Sequence, residues 1–229
     1  MSEPRVKRGR NAIATRHAIL DSALVAFTRC GYDGVGVREI ARGAGVTAIL
    51  VNRYFGSKEE LFEEVVDVIF SEAAILLKEL TNGEGLRTQR RNVTRALAAI
   101  AMPESTPVDG LQLMVRSVAN EQAARILRKK MIQHFERNLA DILPGPSPEE
   151  RAALILSIIT GVRLLREIVR IPGLTKADPA ALSDALQSLF AVITGSLRGG
   201  KTRNGPGLDR PTRTPNRQES GQLVSSIRR

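Results

Sequence analysis

Residues 19–62 read ILDSALVAFTRCGYDGVGVREIARGAGVTAILVNRYFGSKEELF, and the order of apolar residues and helix breakers within them decides the fold. Ile19, Ala23, Leu24 and Phe27 recur at helical spacing, Thr15 is placed to cap the start, and Gly31 is placed to end the helix in the left-handed region. A short second helix follows from Val37 to Ala44. Gly45 supplies a turn, and Thr47 stands as cap for a third helix, Ala48 to Phe55. Ser57-Lys58-Glu59-Glu60 is a capping box that opens a long fourth helix with Leu61, Phe62, Val65, Val66 and Ile69 on its apolar stripe.

Two short helices joined by a glycine turn, with small Ala41 where they cross, form the layout of a helix-turn-helix over 37–56. Ile40, Val46 and Val51 are then interior. Thr47, Ala48, Ile49, Leu50, Asn52 and Arg53 fall on the N-terminal and outward parts of the second helix, the parts that enter a major groove.

Outward from this segment the helical period continues over 86–101, 108–120, 121–143, 148–170 and 179–197, separated by proline and glycine clusters. No alternating β-branched run is bounded by hairpin signals. The sequence therefore predicts an all-α protein of about nine helices. The divisions are a basic disordered arm over 1–14, a helix-turn-helix domain over 15–62, a helical regulatory and dimerisation domain over 63–198, and a disordered basic tail over 199–229.

The charge is uneven in the same way. The chain of 229 residues has 34 Lys and Arg against 24 Asp and Glu, net +10. Residues 1–16 contribute +4 and residues 199–229 contribute +5, which leaves the middle close to neutral. Flexible basic arms bind polyanions through counterion release, without choosing among sequences. A protein that coats DNA through its tails is thus the alternative to a sequence-specific binder.

Other classes find little support. One cysteine, Cys30, allows no internal disulfide, and with two distant histidines it predicts no metal cage and no cofactor. Cys30 is expected as a small buried hydrophobe. No phosphate loop, His-Glu-x-x-His or Gly-x-Ser-x-Gly motif is present, so catalysis is not expected and no catalytic residue is assigned. The most apolar run, 152–162, is about half of what a bilayer needs; no membrane partner is expected, and a cytoplasmic setting fits.

The stretch from Ile19 to Phe62 resembles the DNA-binding domain of the tetracycline-repressor (TetR) family. The matching residues are Ile19-Leu20-Asp21, Ala26-Phe27, Gly31-Tyr32, Ile40-Ala41, Ala44-Gly45-Val46, Tyr54-Phe55, and Ser57-Lys58-Glu59 with Leu61. The resemblance implies a homodimeric transcription regulator, most commonly a repressor, that binds a palindromic operator in double-stranded DNA. It also implies release by a small-molecule effector of unknown identity. Two departures stand out: Gly36 sits where the family usually has a Thr or Ser cap, and Asn52 replaces a usual Tyr.

Roles follow from this comparison. Arg38 and Arg42 lie toward the DNA backbone, Arg38 at a position from which some family members reach a base. Asn52 suits a bidentate pair with adenine, and Arg53 suits guanine or a phosphate. Tyr54 and Lys58 are assigned phosphates, Lys58 at a helix start whose free amides also favour an anion. The dimer is assigned to the helices at 148–170 and 179–197. Polar residues in otherwise apolar stretches, Gln112, Arg116, Asn120 and His134, are the candidate effector contacts. Six of the eight aromatic residues precede residue 71, so an aliphatic pocket wall is expected.

Overall fold

A computed structural model describes residues 4–81, 86–102, 109–143 and 145–195, with side chains described over 11–75, 93–102, 109–143 and 145–195. The tail over 199–229 lies outside the described residues. Among those described there is no strand, in keeping with the all-α expectation. The helices are α1 (Pro4–Cys30), α2 (Val37–Gly43), α3 (Ala48–Phe55), α4 (Lys58–Thr81), α5 (Leu86–Ile100) and α6 (Asp109–Ser117). α7 (Glu121–Met131) continues through a π-helical turn (Ile132–Glu136) into α8 (Arg137–Ile142). α9 (Pro148–Arg163) likewise runs into a π-helical turn (Leu164–Ile168), followed by the single turn α10 (Pro172–Thr175) and by α11 (Pro179–Ile193). Each predicted segment is helical; α10 is additional.

The start of α1 differs from expectation. Thr15 is no cap, because its hydroxyl donates back to the Asn11 carbonyl at 2.8 Å inside a continuing helix. The helix is already present at Pro4, so residues 4–14 lie within α1 rather than forming a separate arm.

The helix-turn-helix closes as its sequence demands. Val46 N–H donates to Ala41 O at 2.9 Å and Gly45 N–H to Arg42 O at 3.2 Å, with Gly45 at φ 67°. That is the Schellman pattern, and it fixes the angle at which the chain leaves α2 for α3. Ser22 on α1 ties the pair from behind by donating to Ile40 O at 2.9 Å. Ile40, Ala41 and Val51 are buried; Val46, expected inside, is only partly so.

Ile19, Ala23, Phe27, Leu61, Phe62, Val65 and Val66 are all 0% exposed in one core, where Phe27 and Tyr32 stack at 6.2 Å between centroids and Phe62 meets both edge to face at 5.1 and 4.9 Å. The same core takes in Leu113 of α6 and Ala123, Ile126 and Leu127 of α7. The boundary drawn after residue 62 therefore falls inside both α4 and a continuous core. A second core joins Leu97 of α5, Leu139 of α8, Ile155 of α9 and Phe190 of α11.

Cys30 is exposed rather than buried. It lies at the last position of α1, where the apolar stripe through Phe27 has turned away. No helix among the described residues is long and apolar enough to cross a membrane, and no group of three potential ligands among them is placed to hold a metal ion.

Candidate nucleic-acid interface and effector cavity

α3 buries Val51 and Phe55 and turns the rest of its surface outward. Ile49 is 79% exposed, the most exposed large hydrophobic side chain among the described residues, and Asn52 and Arg53 are exposed beside it. Ala48 and Leu50 are half-buried. An isoleucine this exposed adds little to the packing of its own chain. Arg38 and Arg42 on α2 are exposed as well.

Neither short helix has a side-chain cap, as expected for α2 but not for α3. Gly36 has none to offer, and Thr47 occupies the N-cap position of α3 with an extended backbone but without a cap hydrogen bond. The exposed Thr47 hydroxyl is consequently available to an outside acceptor. The capping box of α4 forms fully: Glu60 N–H donates to Ser57 Oγ at 3.1 Å, and Ser57 N–H donates to the Glu60 carboxylate at 3.0 Å.

Tyr54 is half-buried and packed on the core. Lys58 places its ammonium 4.4 Å from the centroid of the Tyr32 ring, where burial lowers its pKa and the nearby Asp33 carboxylate partly opposes that. Reaching a phosphate requires Lys58 to leave this ring. Arg16, which motif reading did not single out, bridges the domain's edge: its guanidinium lies 4.7 Å over Phe55 and contacts Glu64 at 2.5 Å.

None of the four polar residues picked out for an effector lines the apolar cavity between the two cores. Arg116 donates to Thr28 O at 2.5 Å and to Gln112 at 3.1 Å. Asn120 caps α7, accepting from Gln122 and Ala123 N–H at 3.0 Å each, and donates to Asp33 at 2.9 Å. His134 meets Asp67 at 2.7 Å. These side chains satisfy one another and neighbouring backbone across helix junctions, the usual fate of partly buried polar groups. Gln112 and Arg116 also line a separate polar depression with Glu167 and Arg170.

Together with Tyr32 N–H donating to Ser117 Oγ at 3.0 Å, the Arg116 and Asn120 bonds fasten the end of α1 and the loop after it to the α6–α7 turn. Gly31, at φ 72°, is what permits the approach: a β-carbon there would fall on the Arg116 carbonyl oxygen.

α4 and α7 are joined by an ionic cluster. Lys129 and Lys130 reach Glu63 at 2.6 and 3.4 Å, and Lys130 reaches Asp67 at 2.8 Å. The hydrogen bond from Lys129 holds Glu63 below the ordinary carboxylate range. For Asp67 burial acts upward, but hydrogen bonds from Lys130 and His134 more than offset it, so its pKa is also lowered. Carboxylates depressed in the folded state contribute stability above their unfolded values, 4.5 for Glu63 and 3.8 for Asp67, and lose it as pH falls through the lower folded values. Thermal melts are therefore expected to fall below about pH 4.5, and Glu63→Gln/Asp67→Asn should flatten that fall.

An apolar cavity of about 260 Å³ lies between the two cores and is walled by Leu24 of α1, Ile69 and Phe70 of α4, Met114 of α6, Met131 of α7, Phe135 of the π-helical turn after it, and Leu156 of α9. The expected wall was aliphatic; the structure adds Phe70 and Phe135, edge to face at 5.3 Å. Sequence reading could not find it, since its wall is drawn from several helices and most of it resembles ordinary core.

Residues 19–65 match the family described as bacterial regulatory proteins, tetR family, and residues 89–192 match the tetracyclin repressor-like C-terminal domain. The HTH-type transcriptional regulatory protein RaaS of Mycobacterium tuberculosis is 34% identical over 161 residues, covering 66% of this chain and 70% of RaaS. The chain belongs to the TetR family. It is a transcriptional regulator with a helix-turn-helix DNA-binding domain. A more distant relative, AcrR of Shigella flexneri, is 27% identical over 167 residues, 66% of this chain and 76% of AcrR. Solved structures agree in fold. NalD of Pseudomonas aeruginosa, the secondary repressor of the MexAB-OprM multidrug efflux pump, superposes with a TM-score of 0.55 at 23% identity over 79% of this chain and 95% of its own. A transcriptional regulator from Pseudomonas aeruginosa PAO1 gives 0.60 at 18% identity, over 79% and 90%.

Proposed function

We propose that this regulator is a cytoplasmic homodimeric repressor that reads a palindromic operator with α3 and is released by a small molecule entering the cavity. The observation that carries the DNA reading is the outward face of α3, where Ile49, Asn52 and Arg53 stand exposed together on a helix anchored by Val51 and Phe55. Arg38, Arg42, Thr47 and Tyr54 serve the DNA backbone beside it. Lys58 joins them once it leaves Tyr32.

The dimer reading rests on α9 and α11. Leu154 is 54% exposed, Leu189 46% and Val192 63%, large apolar side chains that their own chain leaves about half open to water. Among the described residues beyond its own helix, nothing lies within 4 Å of where a β-carbon on Gly161 would stand, which leaves room for a second copy to approach α9 closely. Two copies related by a two-fold axis present two recognition helices to mirrored half-sites. Sedimentation at micromolar concentration is expected to give a dimer.

The effector reading rests on the cavity's position. Its walls include α1 and α4, which carry the DNA-binding domain, so a ligand that favours one arrangement of these helices shifts the population that fits the groove. The test separates this account from tail-driven coating: a chain ending at residue 198 is compared with the full chain on selected and unrelated duplexes. The shortened chain is expected to keep its discrimination between the two duplexes. Loss of binding on removing the tail, with no preference before it, would support coating instead.

A further inference from the structure

The cavity's charged groups are unequal in what they have left to offer. Arg163, the cation in its wall, gives Nε to one oxygen of Glu167 at 2.8 Å and Nη2 to the other at 3.2 Å, and the two side chains are only 11% and 8% exposed. Its charge is thus matched by a fixed neighbour. Glu72 of α4 and Asp109 of α6 also line the cavity, and both are exposed, which places them toward its mouth. Neither has a hydrogen-bond or ion-pair partner among the described residues. Behind them the wall is apolar, with the rings of Phe70 and Phe135 and the thioethers of Met114 and Met131. Aromatic faces attract cations, and thioethers adapt to varied apolar shapes.

We infer that the cavity takes a small apolar molecule carrying one positive charge, its body among these side chains and its cationic group at Glu72 and Asp109. This inference rests on the effector reading above and gives it a ligand class. An anionic ligand would meet two carboxylates and a guanidinium already engaged; a neutral one would leave the carboxylates unused. The volume of about 260 Å³ suits a molecule of one short chain or ring rather than a large polycycle.

The test is a calorimetric titration of the full chain with three probes that share one alkyl chain: octyltrimethylammonium, 1-octanol and octanoate. The cation is expected to bind about tenfold more tightly than the alcohol, with octanoate weakest. Glu72→Gln/Asp109→Asn is expected to remove that preference while leaving 1-octanol unchanged. Ala73→Phe, which fills the cavity, should abolish all three, with its melting curve showing that it folds. Octanoate binding as tightly as the cation, or a cation preference that survives the double variant, would overturn the ligand class and leave the cavity as an effector site. Failure of every probe to bind, or binding indifferent to Ala73→Phe, would overturn both the ligand class and the cavity reading.

Discussion

Gly31→Ala is expected to lower stability by about 3 kcal/mol, the largest single-residue effect foreseen here, through two costs that add. The residue sits at φ 72°, where a β-carbon costs roughly 1 to 2 kcal/mol, and the new methyl would land on the backbone of Arg116, which cannot move without dragging α6. In a chain of this size the melting temperature should drop by roughly 6 to 12 °C. Two other glycines provide internal standards. Gly45 shares the positive φ but faces open space, so its alanine variant should pay only the conformational part, and Gly36, at φ −104° with nothing nearby among the described residues, should lose only the roughly 0.5 to 1 kcal/mol by which alanine is the poorer N-cap. A Gly31 variant that melts like the Gly36 variant would mean that the end of α1 is not held against α6 as described.

The second large effect concerns DNA. Asn52→Ala/Arg53→Ala removes the two polar side chains on the exposed face of α3, and each bidentate base contact is worth about 1 to 3 kcal/mol of discrimination. The preference for a selected site over unrelated duplex is expected to fall by on the order of a hundredfold or more, while the weak, salt-dependent binding that all duplexes share persists. Neither residue contributes to the buried core, so the melting temperature should not change. Discrimination that survives the double substitution would move base reading off α3.

Local signals made the DNA-binding half readable. Ser57 and Glu60 exchange the hydrogen bonds that their spacing implied, and Gly45 makes the turn expected of it. These are contacts among neighbours in sequence, so composition and spacing determine them. The start of α1 was misplaced because a threonine hydroxyl has two local options, capping a new helix or bonding back within an existing one, and Thr15 takes the second. The π-helical turns at Ile132–Glu136 and Leu164–Ile168 keep the helical apolar pattern on both sides and left no trace in it.

The regulatory half was harder for a physical reason. Gln112, Arg116, Asn120 and His134 drew attention as polar residues in apolar surroundings, yet their partners lie on other helices or at helix junctions, and those partners make them structural. The cavity is bounded by residues such as Leu24, Met114 and Leu156 that read as core wherever they occur. Only the packing of helices distant in sequence distinguishes a wall from an interior. Lys58 shows the same limit at smaller scale: its position at the start of α4 was legible, while the Tyr32 ring beneath its ammonium was not.

The account stands most directly on what α3 reads. Selecting duplexes bound by the full chain from a random pool, at physiological salt, measures this in one step. The expected product is an inverted repeat whose half-sites are centred roughly one helical turn apart, each bound by one copy of α3. A pool that emerges no richer in any sequence than it began would contradict the account and leave the basic ends of the chain as its only means of holding DNA.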